Sequence, residues 1–371
     1  MHIDLPTRAD VERLAAARDP LSVTIYLPTS TQKSDAVHNR LRMRELVDPA
    51  LAELKDRAEK RGYQEIEEHL NGLLDDDEFW TDLGNSLAVF VTSDGITEFR
   101  LPSDLAARVS VSDRFAITPL LRALTFPNAA FALALSQNSA RLIEISAGLP
   151  PQEIDVPGLP SDAVSAVAVE SISGRSHHRR LVGDEGRKVR LTQYARAVDH
   201  ALRPFLNSES VPLVLAATEP MLTIYRGLCG YAHLAEQSIR GNADELTNAE
   251  IADQVRGVLD EFYAHELAEL HSTYQERKNA GRGSADLSDL ARAAAWGNLD
   301  TLVVDMDARS AGTVDDDGSL VLGDETGHDA IEEIARRAIA TGARVLAVRA
   351  EDLPDGVEAA GILRYAPVAS G

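Results

Sequence analysis

The run Ser173 to Arg190, Ser-Gly-Arg-Ser-His-His-Arg-Arg-Leu-Val-Gly-Asp-Glu-Gly-Arg-Lys-Val-Arg, concentrates the side chains best suited to gripping polyanions. Arg175, His177, His178, Arg179, Arg180, Arg187, Lys188 and Arg190 gather cations, and Gly183 and Gly186 allow a backbone to approach a phosphate closely. Such a surface binds phosphate backbones with salt-dependent affinity. From Ser171 to Arg203 there are eight Arg or Lys against three Asp or Glu, in a chain of formal net charge -22. A chain so acidic repels nucleic acid at long range, so any such contact is confined to a local patch. A weaker patch, Lys33, His38, Arg40, Arg42 and Arg44, lies near the N-terminus, with Arg40 and Arg44 four residues apart on one helical face.

Other chemistries find less support. His177 and His178 are adjacent, and no carboxylate or Cys follows at ligand spacing, so no metal or other cofactor is expected. The acidic triplets at 75–77 and 315–317 read as a helix end and as a hairpin turn through Asp317-Gly318. The chain has neither a GxxxxGK[ST] loop nor a GxSxG elbow, so nucleotide hydrolysis and serine-hydrolase chemistry are not signalled. With one cysteine, Cys229, no internal disulfide forms, and that side chain reads as a small apolar residue. The N-terminus has no signal-peptide pattern and no run approaches a membrane span. A cytoplasmic protein with no membrane partner is expected.

The elements that must position these residues can be read along 371 residues, a length suited to two or three domains. A hydrophobic content of 44% with 26% charged residues fits a folded protein. Thr7 and Asp10 predict a capped helix; Leu21 to Thr29 predicts a strand; Asn39 to Leu74 predicts helix, broken at Gly62; Asp94-Gly95 predicts a hairpin. Two strands joined at 137–139 follow, and residues 163–170 are a third candidate. After the basic run the spacing of Leu191, Tyr194, Val198 and Leu202 predicts a helix, residues 211–218 a buried strand, and Thr247 with Glu250 a capping box opening a helix to Lys278. The last segment alternates helix and strand, with Gly342 ending one helix. The expected fold class is α/β, in three domains: a mixed α/β N-terminal domain (1–128), an α/β middle domain (129–278) with a protruding basic loop at 173–190, and a three-layer α/β/α C-terminal domain (279–371).

These residues carry a family resemblance. The last segment, with Ala-Arg-Ala-Ala-Ala-Trp-Gly-Asn-Leu-Asp-Thr-Leu-Val-Val-Asp and the terminal Gly361-Ile362-Leu363-Arg364-Tyr365, resembles the C-terminal domain of archaeal and eukaryotic peptide-chain release factors and pelota. The middle segment, strands then a basic loop then a helix, is similar to the release-factor middle domain, and the order of segments agrees. The chain looks most like bacterial relatives of those factors, a group that includes ribosome hibernation factors. Where release factors carry Gly-Gly-Gln this chain has Val-Gly-Asp-Glu-Gly-Arg-Lys, without the Gln, and no Asn-Ile-Lys-Ser codon-reading motif is present.

The resemblance therefore implies a non-enzymatic, ribosome-binding factor in the A site that holds ribosomal RNA through the basic loop. It implies a decoding-centre-facing first domain, with Lys33, Arg40 and Arg44 as second contacts. A translational GTPase such as elongation factor Tu is the implied further partner. The competing expectation is a peptidyl-tRNA hydrolase or rescue factor in which Gln193 or a His replaces the missing Gln.

Overall fold

The computed structural model describes residues 4–126, 129–146, 149–163, 184–207, 211–323, 328–353 and 356–366. All but the first residue of the strand candidate at 163–170, and most of the basic run, lie outside the described residues. Contacts divide the chain into two compact units, Met1–Pro127 with Glu266–Gly371, and Asn128–His265. The first and third sequence segments thus form one unit, and the second division falls at His265, within a helix, instead of at Lys278.

The first unit opens with α1 (Arg8–Ala16), where Thr7 Oγ1 accepts from Asp10 N at 3.2 Å and Asp10 Oδ2 accepts from Thr7 N at 3.0 Å. The reciprocal cap satisfies two donors that a helix start otherwise orphans. β1 (Ser22–Pro28) follows, then α2 (Ala36–Arg57) and α3 (Lys60–Asp75). The break between those helices comes at Ala58 and Glu59, both extended, so Gly62 belongs to the first turn of α3. β2 (Ser86–Thr92) and β3 (Gly95–Leu101) make the expected hairpin, and β4 (Arg108–Ser112) precedes α4 (Thr118–Thr125). The antiparallel sheet runs β3-β2-β1-β4. Alternation along β1 sends Val23, Ile25 and Leu27 into a core with Met43, Leu54, Ile66 and Leu70 of α2 and α3, and Tyr26 into the opposite core with Phe90 and Phe115.

The other unit, which carries the basic run, is a mixed five-stranded sheet. β5 (Ala129–Leu135) and β6 (Ala140–Ser146) are antiparallel, and β7 (Gln152–Ile154) edges β6. Asp244 anchors their connecting turn, accepting from Ser136 Oγ at 2.6 Å and Asn138 Nδ2 at 3.1 Å. α5 (Asp184–Leu206) leads to β8 (Leu213–Ala217), α6 (Met221–Arg226), β9 (Leu234–Ile239) and the long α7 (Asn248–Asn279). β8 lies parallel to β5 and to β9, completing the order β7-β6-β5-β8-β9. β5 is buried along its whole length, as a strand covered on both faces must be. Ala130, Ala132 and Ala134 meet Ile251, Val255 and Leu259 of α7, while Phe131 meets Phe205 of α5 edge to face, ring centroids 5.4 Å apart. The capping box at the start of α7 forms as expected, with Thr247 N donating to Glu250 at 2.9 Å.

The C-terminal part of the first unit holds β10 (Gly283–Ser284), α8 (Leu287–Ala295), β11 (Leu299–Asp305), the hairpin β12 (Gly312–Val314) and β13 (Leu320–Leu322), α9 (Ala330–Ala340), β14 (Arg344–Val348) and β15 (Ala359–Leu363). Its sheet runs β10-β15-β11-β14, with β11 and β14 parallel. Gly342, at φ +76°, ends α9 with Ala343 N donating back to Ala338 O at 2.8 Å, a left-handed cap that suits glycine. This part shares one hydrophobic core with the N-terminal sheet: Val11, Leu14, Ile117 and Leu120 are contiguous with Leu302, Ile331, Ile334 and Leu363. Polar bonds reinforce the union, with Thr125 Oγ1 accepting from Ala347 N at 3.0 Å and Arg336 donating to the carbonyl of Ala15.

Candidate functional site

The basic run is divided by the start of α5. Arg175, His177, His178, Arg179, Arg180 and Gly183 lie outside the described residues, whereas Gly186, Arg187, Lys188 and Arg190 stand on the helix. The reading of 173–190 as one loop therefore ends too late: helix begins at Asp184, six residues before the sequence periodicity becomes visible at Arg190. Arg, Lys and Leu are good helix formers, but with no apolar residue between Val182 and Val189 the period-3.6 signal is absent there. Gly186 is buried within that first stretch.

Residues 187–190 are exposed all round, even Val189 at 44%. From Leu191 onward a buried side appears, made of Leu191, Tyr194, Val198, Leu202 and Leu206. The opposite side presents Arg196, His200 and Arg203, at i, i+4 and i+7, so that cationic character runs the length of α5. Among the described residues Arg187, Lys188, Arg190 and Arg196 form no ion pair, and their charge is available to an external anion. Arg203 differs: its Nε donates at 2.8 Å to Asp199, which is buried and also accepts from Gly230 N at 3.3 Å. An open groove of about 1010 Å³ flanks this side, with Arg196, His200 and Arg203 above Pro157, Leu159 and Leu228. Cationic and apolar side chains thus line one groove.

Arg196, His200 and Arg203 were missed as site residues in the sequence, although their helical spacing was present to be read. Gln193 is on α5 between Thr192 and Tyr194, and is only partly exposed. Burial pushes the Cys229 thiol upward, which keeps it protonated and unreactive. Among the described residues no cluster of three or more His, Cys, Asp or Glu could hold a metal ion, and no helix is long and apolar enough to cross a membrane.

The N-terminal patch divides in a different way. Lys33 pairs with Asp82 at 3.2 Å and Arg40 with Asp77 at 2.5 Å, so acidic neighbours already engage both. Arg44 is exposed on α2 with no ion pair among the described residues. Asn39 fixes the start of that helix: its Oδ1 accepts from Ser30 N and its Nδ2 donates to Ser30 O, both at 3.0 Å. Beside Arg44 the same helix exposes Val37 (75%) and Leu41 (55%).

Comparison with known proteins bears on the unit that carries α5. No curated protein matches the chain. The solved structures similar to it include the archaeal translation termination factor aRF1, at 17% identity, 97% of this chain, 99% of the other and a TM-score of 0.25. Dom34 of S. cerevisiae, described as a translation termination-like factor interacting with Hbs1, shows 12% identity over 77% of this chain and 80% of its own, with a TM-score of 0.42. Ribosome-bound archaeal Pelota with ABCE1 shows 12% identity over 99% of both chains, with a TM-score of 0.38. The family model for bacterial archaeo-eukaryotic release factor family 11 matches residues 127–265. Over those residues, which include α5 and its groove, the chain is similar to a bacterial family of archaeo-eukaryotic release factors.

Proposed function

We propose that this protein is a ribosome-binding translation factor that occupies the A site without hydrolysing peptidyl-tRNA and holds the ribosome inactive. The carrying observation is the set of cations on α5, Arg187, Lys188, Arg190 and Arg196, that have no ion pair among the described residues, in the segment that matches the release-factor family model. Arg187, Lys188, Arg190 and Arg196 supply the charge, with Arg175, His177, His178, Arg179 and Arg180 preceding them in sequence. An acidic chain that leaves four cations of one helix without ion pairs among the described residues retains a place where RNA phosphates are attracted. The non-hydrolytic part of the reading is supported by sequence alone: no Gly-Gly-Gln is present to position a water. Exposed Trp296 (72%) and Tyr365 (74%) are the part of the C-terminal segment best suited to receive a translational GTPase.

The test is co-sedimentation with vacant ribosomes over a salt series, beside a variant carrying Arg187→Glu, Lys188→Glu, Arg190→Glu and Arg196→Glu. Wild type should pellet, with salt weakening it, and the variant should stay in the supernatant. A wild type that never pellets overturns the ribosome reading, and a variant that pellets equally overturns the role given to the cations of α5. Release of peptide from peptidyl-tRNA by the wild type, lost in Gln193→Ala, would replace the non-hydrolytic reading with the hydrolase.

A further inference from the structure

A cavity of about 330 Å³ lies within the first unit, between β4 and the segment from Arg309 to the start of α9. Alternate residues of β4, Arg108, Ser110 and Ser112, line one wall, and Arg309, Thr313 and His328 line the other. The cavity is not part of the α5 surface, and nothing in the proposed ribosome reading uses it.

Its cations are incompletely satisfied. Arg108 has a side chain only 10% exposed, yet its nearest carboxylate oxygen, on Asp329, is 3.6 Å away, beyond hydrogen-bonding distance. Its buried Nε has no hydrogen-bond partner among the described residues. Arg309 makes no hydrogen bond or ion pair among the described residues. Burial, and then the neighbouring Arg108, lower the pKa of Arg309, as expected for two guanidinium groups sharing one enclosure.

The carboxylates around the cavity have donors of their own. Asp329 Oδ1 caps α9 by accepting from Ile331 N at 3.1 Å. Glu332 accepts from the backbone N–H groups of Ile117 and Thr118 and from the Thr118 hydroxyl. Glu333 takes Arg337 Nε at 2.7 Å and also engages Arg114 and Arg336. The wall is therefore left with one buried donor, Arg108 Nε, short of an acceptor, which costs free energy unless a ligand supplies one, and beside it the exposed guanidinium of Arg309 and the half-buried hydroxyls of Ser110 and Thr313.

We propose that this cavity binds a small phosphate-bearing anion, inorganic phosphate or a phosphate monoester. A tetrahedral oxyanion offers several acceptor oxygens to two planar guanidinium forks and to the hydroxyls of Ser110 and Thr313. The volume, at the low end of small-molecule sites, leaves room for a phosphate with a small organic body.

The full-length chain, without ribosomes, is titrated calorimetrically and by thermal shift with sodium phosphate and with adenosine monophosphate, against sodium chloride of equal ionic strength. Wild type should show saturable binding and a raised Tm. Arg309→Ala, which removes an exposed residue without hydrogen bonds, should fold and weaken binding by about tenfold or more. Arg8→Ala, outside the cavity, should not change it. Binding of both probes assigns the phosphate group itself; binding of the monoester alone adds contacts to its organic part. Absence of saturable binding by either probe overturns the proposal, as does equal affinity in Arg309→Ala. In a parallel titration with a 5′-phosphorylated RNA oligonucleotide, binding confined to that RNA and lost in Arg309→Ala would also overturn it, by giving the cavity to a polymer. None of these outcomes bears on sedimentation with ribosomes.

Discussion

Glu332 accepts a hydrogen bond from the backbone N–H of Thr118 at 3.2 Å, across 214 positions of sequence and inside the first unit. The carboxyl is fully enclosed, and burial raises its pKa, against the opposing pull of Arg108 and the Thr118 and Ile117 donors. Glu332→Ala strips an acceptor from three buried donors and should destabilise the unit by about 2–4 kcal/mol in denaturant unfolding. Glu332→Gln keeps one acceptor oxygen and should cost less.

The same shift sets a pH dependence. A carboxyl whose folded pKa is raised binds its proton more tightly when folded, so its contribution to stability grows as pH falls through the folded pKa and levels off below the ordinary value of 4.5. Wild type should therefore gain stability relative to Glu332→Gln as pH is lowered from 7 toward 4.5. An unchanged difference across that range would contradict the burial argument. At lower pH Asp113 acts in the opposite sense: hydrogen bonding to Arg114 holds it at about 2, and the stability that it lends is lost as pH falls from 3.8 toward that value.

Gly361 belongs to the Gly-Ile-Leu-Arg-Tyr end and to the buried strand β15. A Cβ there would collide with Leu290 Cδ2 and come within 2.9 Å of Leu299 Cδ2, so the glycine admits the side chains of α8 and β11 against the strand. Gly361→Ala should cost about 1–3 kcal/mol through overpacking. Pairing it with Leu290→Ala should recover part of that loss in a double-mutant cycle, because the second change removes the clashing methyl. Additive losses would mean that the glycine serves something other than this contact.

What could be read in the sequence was local. The Thr7–Asp10 and Thr247–Glu250 caps, the hairpin at Asp94-Gly95 and the Gly342 stop each rest on residues a few positions apart, and each formed. The union of the first and third segments was not legible, because Glu332 meets Thr118 and Arg336 meets Ala15 only after both segments have folded. Lys33 and Arg40 looked like free cations for the same reason: Asp82 and Asp77, which pair with them, are distant in sequence. Arg108 and Arg309 gave no signal, since two arginines 201 positions apart share no pattern until a cavity brings them to facing walls.

Arg196 and Arg203 are both exposed on one side of α5, seven residues apart, yet they differ in what they have to give. Each phosphate contact adds about 0.7–0.9 to the slope of log affinity against log salt, by releasing a condensed counterion. A free guanidinium contributes fully, whereas one held at 2.8 Å by a buried carboxylate must surrender that bond or share its charge. Arg196→Ala should therefore lower the salt slope of ribosome binding by about one contact. Arg203→Ala should leave the slope almost unchanged and act instead on stability, because Asp199 then loses its cationic partner in a buried position. Equal slope changes in the two variants would show that RNA competes successfully for Arg203, and that the Asp199 pair opens when the ribosome is bound.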